Sequence, residues 1–227
     1  MTVKSLLAVG AHPSDVEYYA GATLAAFARA GARVTLVVST DGARDVSAGP
    51  GLAQTRRSES EFAADMLGAR VVFLERRDGG LVRDERLRRD LVQEIRGARA
   101  EIVLVHDPTN FWTEHGPFAH LGETDHRVAG EATLDAIHPW AATAGFLPEL
   151  GPAGHPPWWV PEVWLFDTQY PDHFVDVAPG RDAKHAALAC HKSQLPRRLI
   201  EAAEEQAEAY GAREGAPSEA FRRLLLS

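Results

Sequence analysis

Short apolar runs alternate along the chain with stretches in which apolar residues recur every three or four positions. Such runs are typical of buried strands, and the recurring pattern indicates helices that bury one face. The predicted strands cover residues 6–10, 34–38, 70–74, 102–105, 162–166 and 173–177. The predicted helices cover 20–27, 54–67, 87–95 and 125–137, and a helical tail over 183–210 is interrupted at Pro196. This alternation predicts an α/β fold, a Rossmann-like open and mostly parallel sheet with helices on both faces.

Residues 138–160 break the alternation. Proline and glycine are dense there, and the segment contains Trp140, Trp158 and Trp159, so it is expected to form a loop or a lid. Neither an internal repeat nor a low-complexity tract is present. We therefore expect residues 1–227 to form one domain with elaborations, because about 150 residues is a typical domain length.

Composition narrows the class of partner. The 227 residues are 45% hydrophobic and 25% charged, and 32 acidic against 24 basic side chains give a net charge of −8. A surface of this sign repels phosphate backbones and anionic lipid, so neither nucleic acid nor a membrane is an expected partner. One cysteine excludes an internal disulfide, and no apolar run is long enough to span a bilayer, so a cytoplasmic protein is expected. Ten histidines invite a search for a metal site.

Candidate metal ligands follow two predicted strands. His12 and Asp15 come directly after the first strand, three positions apart on a tight turn, and His126 opens the helix after the fourth. Open α/β sheets keep their sites at the carboxyl ends of strands. Imidazole and carboxylate are zinc ligands, and a catalytic zinc needs three protein ligands plus water. Each residue alone is equally explained by a structural role, as a turn histidine or a helix N-cap.

The motifs around these residues resemble those of the PIG-L/LmbE-like zinc-dependent N-deacetylases. That family includes deacetylases of GlcNAc-phosphatidylinositol and of mycothiol and bacillithiol biosynthesis. Its Ala-His-Pro-Asp-Asp motif, followed by Gly-Gly-Thr or Gly-Ala-Thr, matches residues 11–15 and 21–23, and its His-Pro-Asp-His motif matches residues 123–126. Further matches, in chain order, fall at 56–68, 73–79, 173–176 and 191–194.

The resemblance implies roles for individual residues. His12, Asp15 and His126 match the ligands of one zinc ion, and Asp125 matches a carboxylate that orients a neighbouring histidine. Arg56 matches an arginine that steadies the substrate. The reaction implied is hydrolysis of an acetamide on a small, sugar-like molecule, with a secondary-metabolite pathway as the expected setting.

Two positions depart from the family pattern, and both handle protons. Ser14 replaces the aspartate that serves as general base, and Glu123 replaces a histidine that stabilises the oxyanion or protonates the leaving amine. One hypothesis is that Glu123 has taken over as the base, with His115 or His120 as the acid. The other is a protein that binds metal and ligand without deacetylation, or that runs a different reaction, because each general acid or base contributes roughly 10²–10⁴ in rate.

Other residues have weaker signals. His191 matches a family position near the pocket, and Trp112 is a candidate for stacking on a substrate, although a subunit contact explains an exposed tryptophan equally well. His106 is expected to be a hydrogen-bonded structural histidine. The ligand set suits zinc, iron and other divalent ions. Family resemblance makes a homotrimer or hexamer the expected assembly.

Overall fold

The computed structural model describes residues 3–44, 49–115 and 118–227. Its main feature is a seven-stranded sheet with strand order β3-β2-β1-β4-β7-β9-β8, and β5 and β6 form a separate antiparallel hairpin. The strands are Ser5–Gly10 (β1), Arg33–Thr40 (β2), Arg70–Arg76 (β3), Ile102–His106 (β4), Trp112–His115 (β5), Phe118–Leu121 (β6), Glu162–Phe166 (β7), His173–Asp176 (β8) and Ser218–Leu225 (β9).

Six helices connect the strands: Asp15–Arg29 (α1), Leu52–Leu67 (α2), Glu85–Ala98 (α3), Thr124–Asp135 (α4), Arg181–Cys190 (α5) and Pro196–Glu214 (α6). The predicted stop after α2 is confirmed, because Gly68 takes a left-handed φ of 71° that favours glycine. Among the described helices, none combines the length and apolar character that a bilayer span requires.

The predicted α/β architecture is confirmed. Strands β3, β2, β1, β4 and β7 run parallel, and helices cover both faces of the sheet. Alternate residues of β1 point to opposite faces: Leu6 packs against α1, α2 and α5, whereas Leu7 packs against α3 and α4. The strand order reverses direction between β1 and β4, and this switch point is where open α/β sheets hold ligands.

Two β elements were not predicted. β9 pairs antiparallel with both β7 and β8, so it separates two strands that the sequence pattern places side by side. Its buried first half contains Ser218 and Glu219 and its second half carries exposed Arg222 and Arg223, so neither half shows the apolar pattern of a buried strand. The β5–β6 hairpin has only four residues in each strand, too few for a periodic signal.

The segment 138–160 lies at the amino-terminal edge of the sheet. The Trp158 indole donates to the carbonyl of Ala100, just before β4 begins. The buried guanidinium of Arg96 donates to five carbonyls of the segment, those of Trp140, Ala141, Thr143, Phe146 and Leu147. The segment is therefore tethered at the edge of the sheet opposite His12.

A buried ion pair links β9 to two helices. Lys184 of α5 donates to Glu219 of β9 over 2.7 Å, and both side chains are nearly inaccessible. The Glu219 carboxylate also accepts the backbone N–H groups of Ala22 (2.9 Å) and Thr23 (2.8 Å) within α1. A Cβ on Gly21 would stand 3.0 Å from Lys184 Cγ. The Gly21-Ala22-Thr23 motif therefore serves the packing of α1 on α5 and β9.

Candidate active site

Polar side chains from three strand ends meet at the switch point. His12 and Asp15 follow β1, and His106 is the last residue of β4. His126 lies in the first turn of α4, and Asp167 follows β7 directly. Because parallel strands bring their carboxyl ends to one edge, residues more than 150 positions apart share one site.

The Asp15 carboxylate is at the centre of this cluster. Its Oδ2 atom lies 3.6 Å from Nδ1 of His12, 3.6 Å from Nε2 of His126 and 3.0 Å from Nε2 of His106. The backbone N–H of His12 donates to the same oxygen over 2.8 Å. Burial acts to raise the pKa of Asp15, but the three surrounding histidines hold that pKa well below its usual range. Asp15 is therefore an ionised carboxylate that hydrogen-bonds to His106 and lies close to the rings of His12 and His126.

The second nitrogen of His12 faces other carboxylates. Its Nε2 lies 3.3 Å from Asp78 Oδ1 and 3.4 Å from Asp125 Oδ2. Asp125 is buried and fixed, because it accepts the N–H groups of Gly79 (2.7 Å) and Leu81 (3.2 Å). Asp78 and Asp125 thus both face Nε2 of His12, while Nδ1 of the same ring points toward Asp15.

His126 has the same arrangement. Its Nδ1 lies 3.7 Å from Asp167 Oδ2, and its ring stacks on His106 with centroids 3.9 Å apart. Its Nε2 is buried and has no hydrogen-bond partner in the described part of the chain. A buried nitrogen left unpaired is costly. The Nε2 atom therefore fits a metal ligand better than a purely structural imidazole.

The cluster offers alternative ligand sets. Three groups each have ligand atoms within 4.8 Å of one another, and they share His12 or His126: His12, Glu123 and His126; Asp15, His106 and His126; and His12, Asp78 and Asp125. His106 has the hydrogen bond to Asp15 that its expected structural role requires. Its complete burial lowers its pKa, so the ring is neutral.

The two departures from the family pattern have different surroundings. Ser14 is buried at the N-cap of α1 with φ 83°, and its side chain makes no cap hydrogen bond. The Glu123 side chain is 64% exposed, and its Oε2 lies 3.9 Å from His12 Nε2. A carboxylate is thus present on the open side of the cluster, and a hydroxyl on the buried side.

The remaining predicted residues lie outside the cluster formed around Asp15. Arg56 donates to the carbonyl of Gly42, in the loop after β2. Trp112 and His120 are exposed on the β5–β6 hairpin, and no contact joins either side chain to the cluster within the described ranges. His191 is 0% exposed, and its Nε2 lies 3.1 Å from Glu17 Oε1. The side chain of His115 lies outside the described part of the structure.

Two carboxylates of the cluster were not selected as site residues from the sequence. Asp78 was noted only as part of an Asp-Gly turn, and Asp167 follows a predicted strand without belonging to any matched motif. The available signal was position alone, since each is a polar residue at or just beyond the carboxyl end of a parallel strand.

The pKa of His12 predicts how the metal-free protein responds to pH. Burial acts to lower this pKa, but the hydrogen bond and charge of Asp15, with Glu123 and Asp78, raise it from 6.5 to about 9. The folded state therefore favours the protonated ring. The resulting stabilisation is complete below pH 6.5 and disappears as the pH rises through about 9.

This expectation is checked by urea unfolding of chelator-treated protein across that pH range. The free energy of unfolding of the wild type, relative to the His12→Ala variant, should fall as the pH rises. A difference that stays constant would contradict the raised pKa of His12.

Comparison with known proteins places the chain in a family. Residues 7–137, more than half of the chain, match the family model described as PIG-L, GlcNAc-PI de-N-acetylase. A 4-oxalmesaconate hydratase from Pseudomonas putida is 29% identical over 84% of this chain and 74% of its own length. A 1D-myo-inositol 2-acetamido-2-deoxy-alpha-D-glucopyranoside deacetylase from Saccharopolyspora erythraea is 32% identical over 69% of this chain. That alignment spans only 62% of the deacetylase's length.

A solved structure agrees with this result. The N,N'-diacetylchitobiose deacetylase from Pyrococcus horikoshii superposes with a TM-score of 0.84 and 26% identity, covering 98% of this chain and 84% of its own. The family model, the relatives and the shared fold lead to one conclusion: the chain belongs to the PIG-L family.

Proposed function

We propose that this protein is a zinc-dependent hydrolase that removes an acyl group, acetyl above all, from the nitrogen of a small amino-sugar-like molecule. The observation that carries the proposal is the pair of 3.6 Å distances from Asp15 Oδ2 to Nδ1 of His12 and Nε2 of His126. Each histidine presents its other nitrogen to a second carboxylate, which is the arrangement of metal-bound imidazoles. Deacetylases among the relatives support the reaction class.

His12, Asp15 and His126 would hold the ion. Two imidazoles and one carboxylate leave coordination positions open, as a catalytic zinc requires. When bound, such an ion polarises a carbonyl group and lowers the pKa of a water molecule. Iron and other divalent ions suit the same ligands.

Proton transfer falls to residues on the open side. Ser14 is a weak base at neutral pH, because a hydroxyl does not take a proton from water. Glu123 takes the proton of the attacking water as the new C–O bond forms. The C–N bond then breaks, and the leaving nitrogen receives a proton from Glu123 or from His120. Transfer from His120 requires a substrate that reaches from the cluster to the hairpin. Asp125 keeps the His12 ring oriented throughout.

The rest of the substrate would lie along the hairpin. Trp112, Tyr170 and Gln169 line a groove of about 700 Å³ beside the end of β7. An indole face and an amide suit the apolar face and the hydroxyl groups of a sugar ring. The family resemblance supports Arg56 and His191 as substrate-binding residues. His191 would act from a buried position, because its side chain is inaccessible to solvent. We further propose that residues 1–227 form one domain and that the protein assembles as a trimer or hexamer.

A second candidate is hydration of a carbon–carbon double bond in an unsaturated acid. The departures at Ser14 and Glu123 favour this reaction, because a hydratase has no leaving amine to protonate. Hydration needs a base for water and a proton donor for carbon. A hydratase is also among the relatives, aligned with 84% of this chain. The same cluster would serve, with Glu123 again taking the proton of water.

The first experiment measures the metal content of protein purified without chelators. About one zinc ion per chain, lost in His12→Ala, is the expected result. Acetate release from N-acetylated amino sugars above a zinc-only blank then supports deacetylation. Loss of 4-oxalmesaconate without acetate release supports hydration instead. Absence of metal from the wild type even after zinc is added would overturn both candidates.

A further inference from the structure

We propose that Asp167 is a positioning residue that holds His126 with its Nε2 toward Asp15. The inference rests on the proposed function, since it concerns a ligand of the proposed metal. It assigns a role to a residue that lies outside every motif matched in the sequence, directly after β7 and 41 positions beyond His126.

The geometry of His126 requires a partner on one side. The ring stacks on His106 at an interplanar angle of 21°, so the plane of the ring is set and its two nitrogens can exchange places only by a flip. Nε2 is buried without a hydrogen-bond partner in the described residues, and Nδ1 lies 3.7 Å from Asp167 Oδ2. A carboxylate on that side stabilises hydrogen on Nδ1 against the competing attraction of Asp15 for hydrogen on Nε2, and so increases the share of rings whose Nε2 lone pair is free for a metal.

Asp167 is delivered to this place by a built scaffold. Its backbone takes a left-handed φ of 54°, a conformation that is unfavourable for a residue other than glycine. The buried side chain of Asn110 donates to the Asp167 carbonyl over 2.7 Å. The next residue, Thr168, donates to Asp107 Oδ2 over 2.6 Å. The loops after β4 and β7 are thereby tied together around Asp167.

The Asp167 carboxylate has few other polar contacts. In the ranges that the structure describes, it makes no hydrogen bond or ion pair other than the one with His126. A residue placed only to close the loop would need its carbonyl but not its carboxylate. The arrangement mirrors the other ligand, for which Asp125 faces the outward nitrogen of His12.

The test compares Asp167→Ala and Asp167→Asn with Asp182→Asn, an exposed control on α5. Zinc affinity, measured by competition with a fluorescent chelator, should fall roughly 10–100-fold in Asp167→Ala and less in the isosteric Asp167→Asn. Asp182→Asn should bind zinc as the wild type does. The unfolding midpoint of each variant shows whether the loop stays folded.

A second readout does not depend on metal. Nitrogen-15 NMR of the metal-free protein, at a pH where the ring is neutral, should show a larger share of Nδ1 protonation at His126 in the wild type than in Asp167→Ala, in which Asp15 still attracts hydrogen to Nε2. Wild-type zinc affinity in folded Asp167→Ala, or an unchanged tautomer, would overturn the inference. A wild type that binds no zinc but shows this change in tautomer would sustain the positioning role while removing the proposed function.

Discussion

Replacing Glu123 by glutamine is expected to lower kcat/KM roughly 10²–10⁴-fold while the metal content stays unchanged. The amide keeps the shape of the side chain but is too weak a base to accept the proton of the attacking water. The proposed mechanism assigns this role to Glu123 alone, because Ser14 stands where the family motif has its aspartate base. Steady-state kinetics on a substrate found by the acetate-release assay, with metal analysis of the same samples, measures both quantities.

Glu131→Gln is the matched control, since Glu131 lies on the same helix and its nearest charged partner is a surface arginine. Its activity should equal that of the wild type. Full activity in Glu123→Gln would exclude Glu123 as the base. Loss of metal together with activity would make Glu123 a ligand instead, in the set it forms with His12 and His126. A gain of activity in the Ser14→Asp, Glu123→Gln double variant would show that the buried side of the cluster still reaches water.

Replacing Glu219 by alanine is expected to destabilise the fold by about 3–5 kcal/mol, the usual result of removing one partner of a buried ion pair. Lys184 would be left charged and nearly inaccessible. The N–H groups of Ala22 and Thr23 would lose their shared acceptor at the same time. Urea unfolding of metal-free protein, monitored by circular dichroism, gives the change in the free energy of unfolding.

Glu201→Gln provides the comparison, because it breaks an exposed pair with Arg197 on α6. Surface pairs contribute about 0–1 kcal/mol, so its effect should be several-fold smaller. The Lys184→Met, Glu219→Leu double variant should recover part of the lost stability, since no unpaired charge remains. Equal effects of Glu219→Ala and Glu201→Gln would contradict the role assigned to the buried pair.

The parallel core of the fold is readable from the sequence because its strands are buried on both faces. The run that includes Leu6 and Leu7 has no polar interruption, and such runs identify parallel strands. β9 escapes this logic, since its second half faces solvent and carries two arginines. A single helical tail followed by an antiparallel strand has no local signature that distinguishes it from a frayed terminus.

The candidate site, like the fold, is predictable from the sequence only in part. Motif and position predict that His12, Asp15 and His126 are metal ligands. In the structure, one ring nitrogen of each histidine lies 3.6 Å from Oδ2 of Asp15. Their roles remain to be measured. Asp167 could not be paired with His126 from the sequence, because the pairing depends on a strand-end loop whose backbone turns left-handed. Tertiary closeness of this kind leaves no periodicity to read.

The five carbonyls gathered by Arg96 have a consequence for how the molecule can change. They anchor the Trp-rich segment at one rim of the sheet, whereas the histidines and the hairpin stand at the other. The two rims are separated by the full length of the strands, so sequence changes in the hairpin leave the contacts of Arg96 and Trp158 untouched. If the hairpin contacts the substrate as proposed, substrate preference can change there without loss of the contacts that hold the opposite edge together.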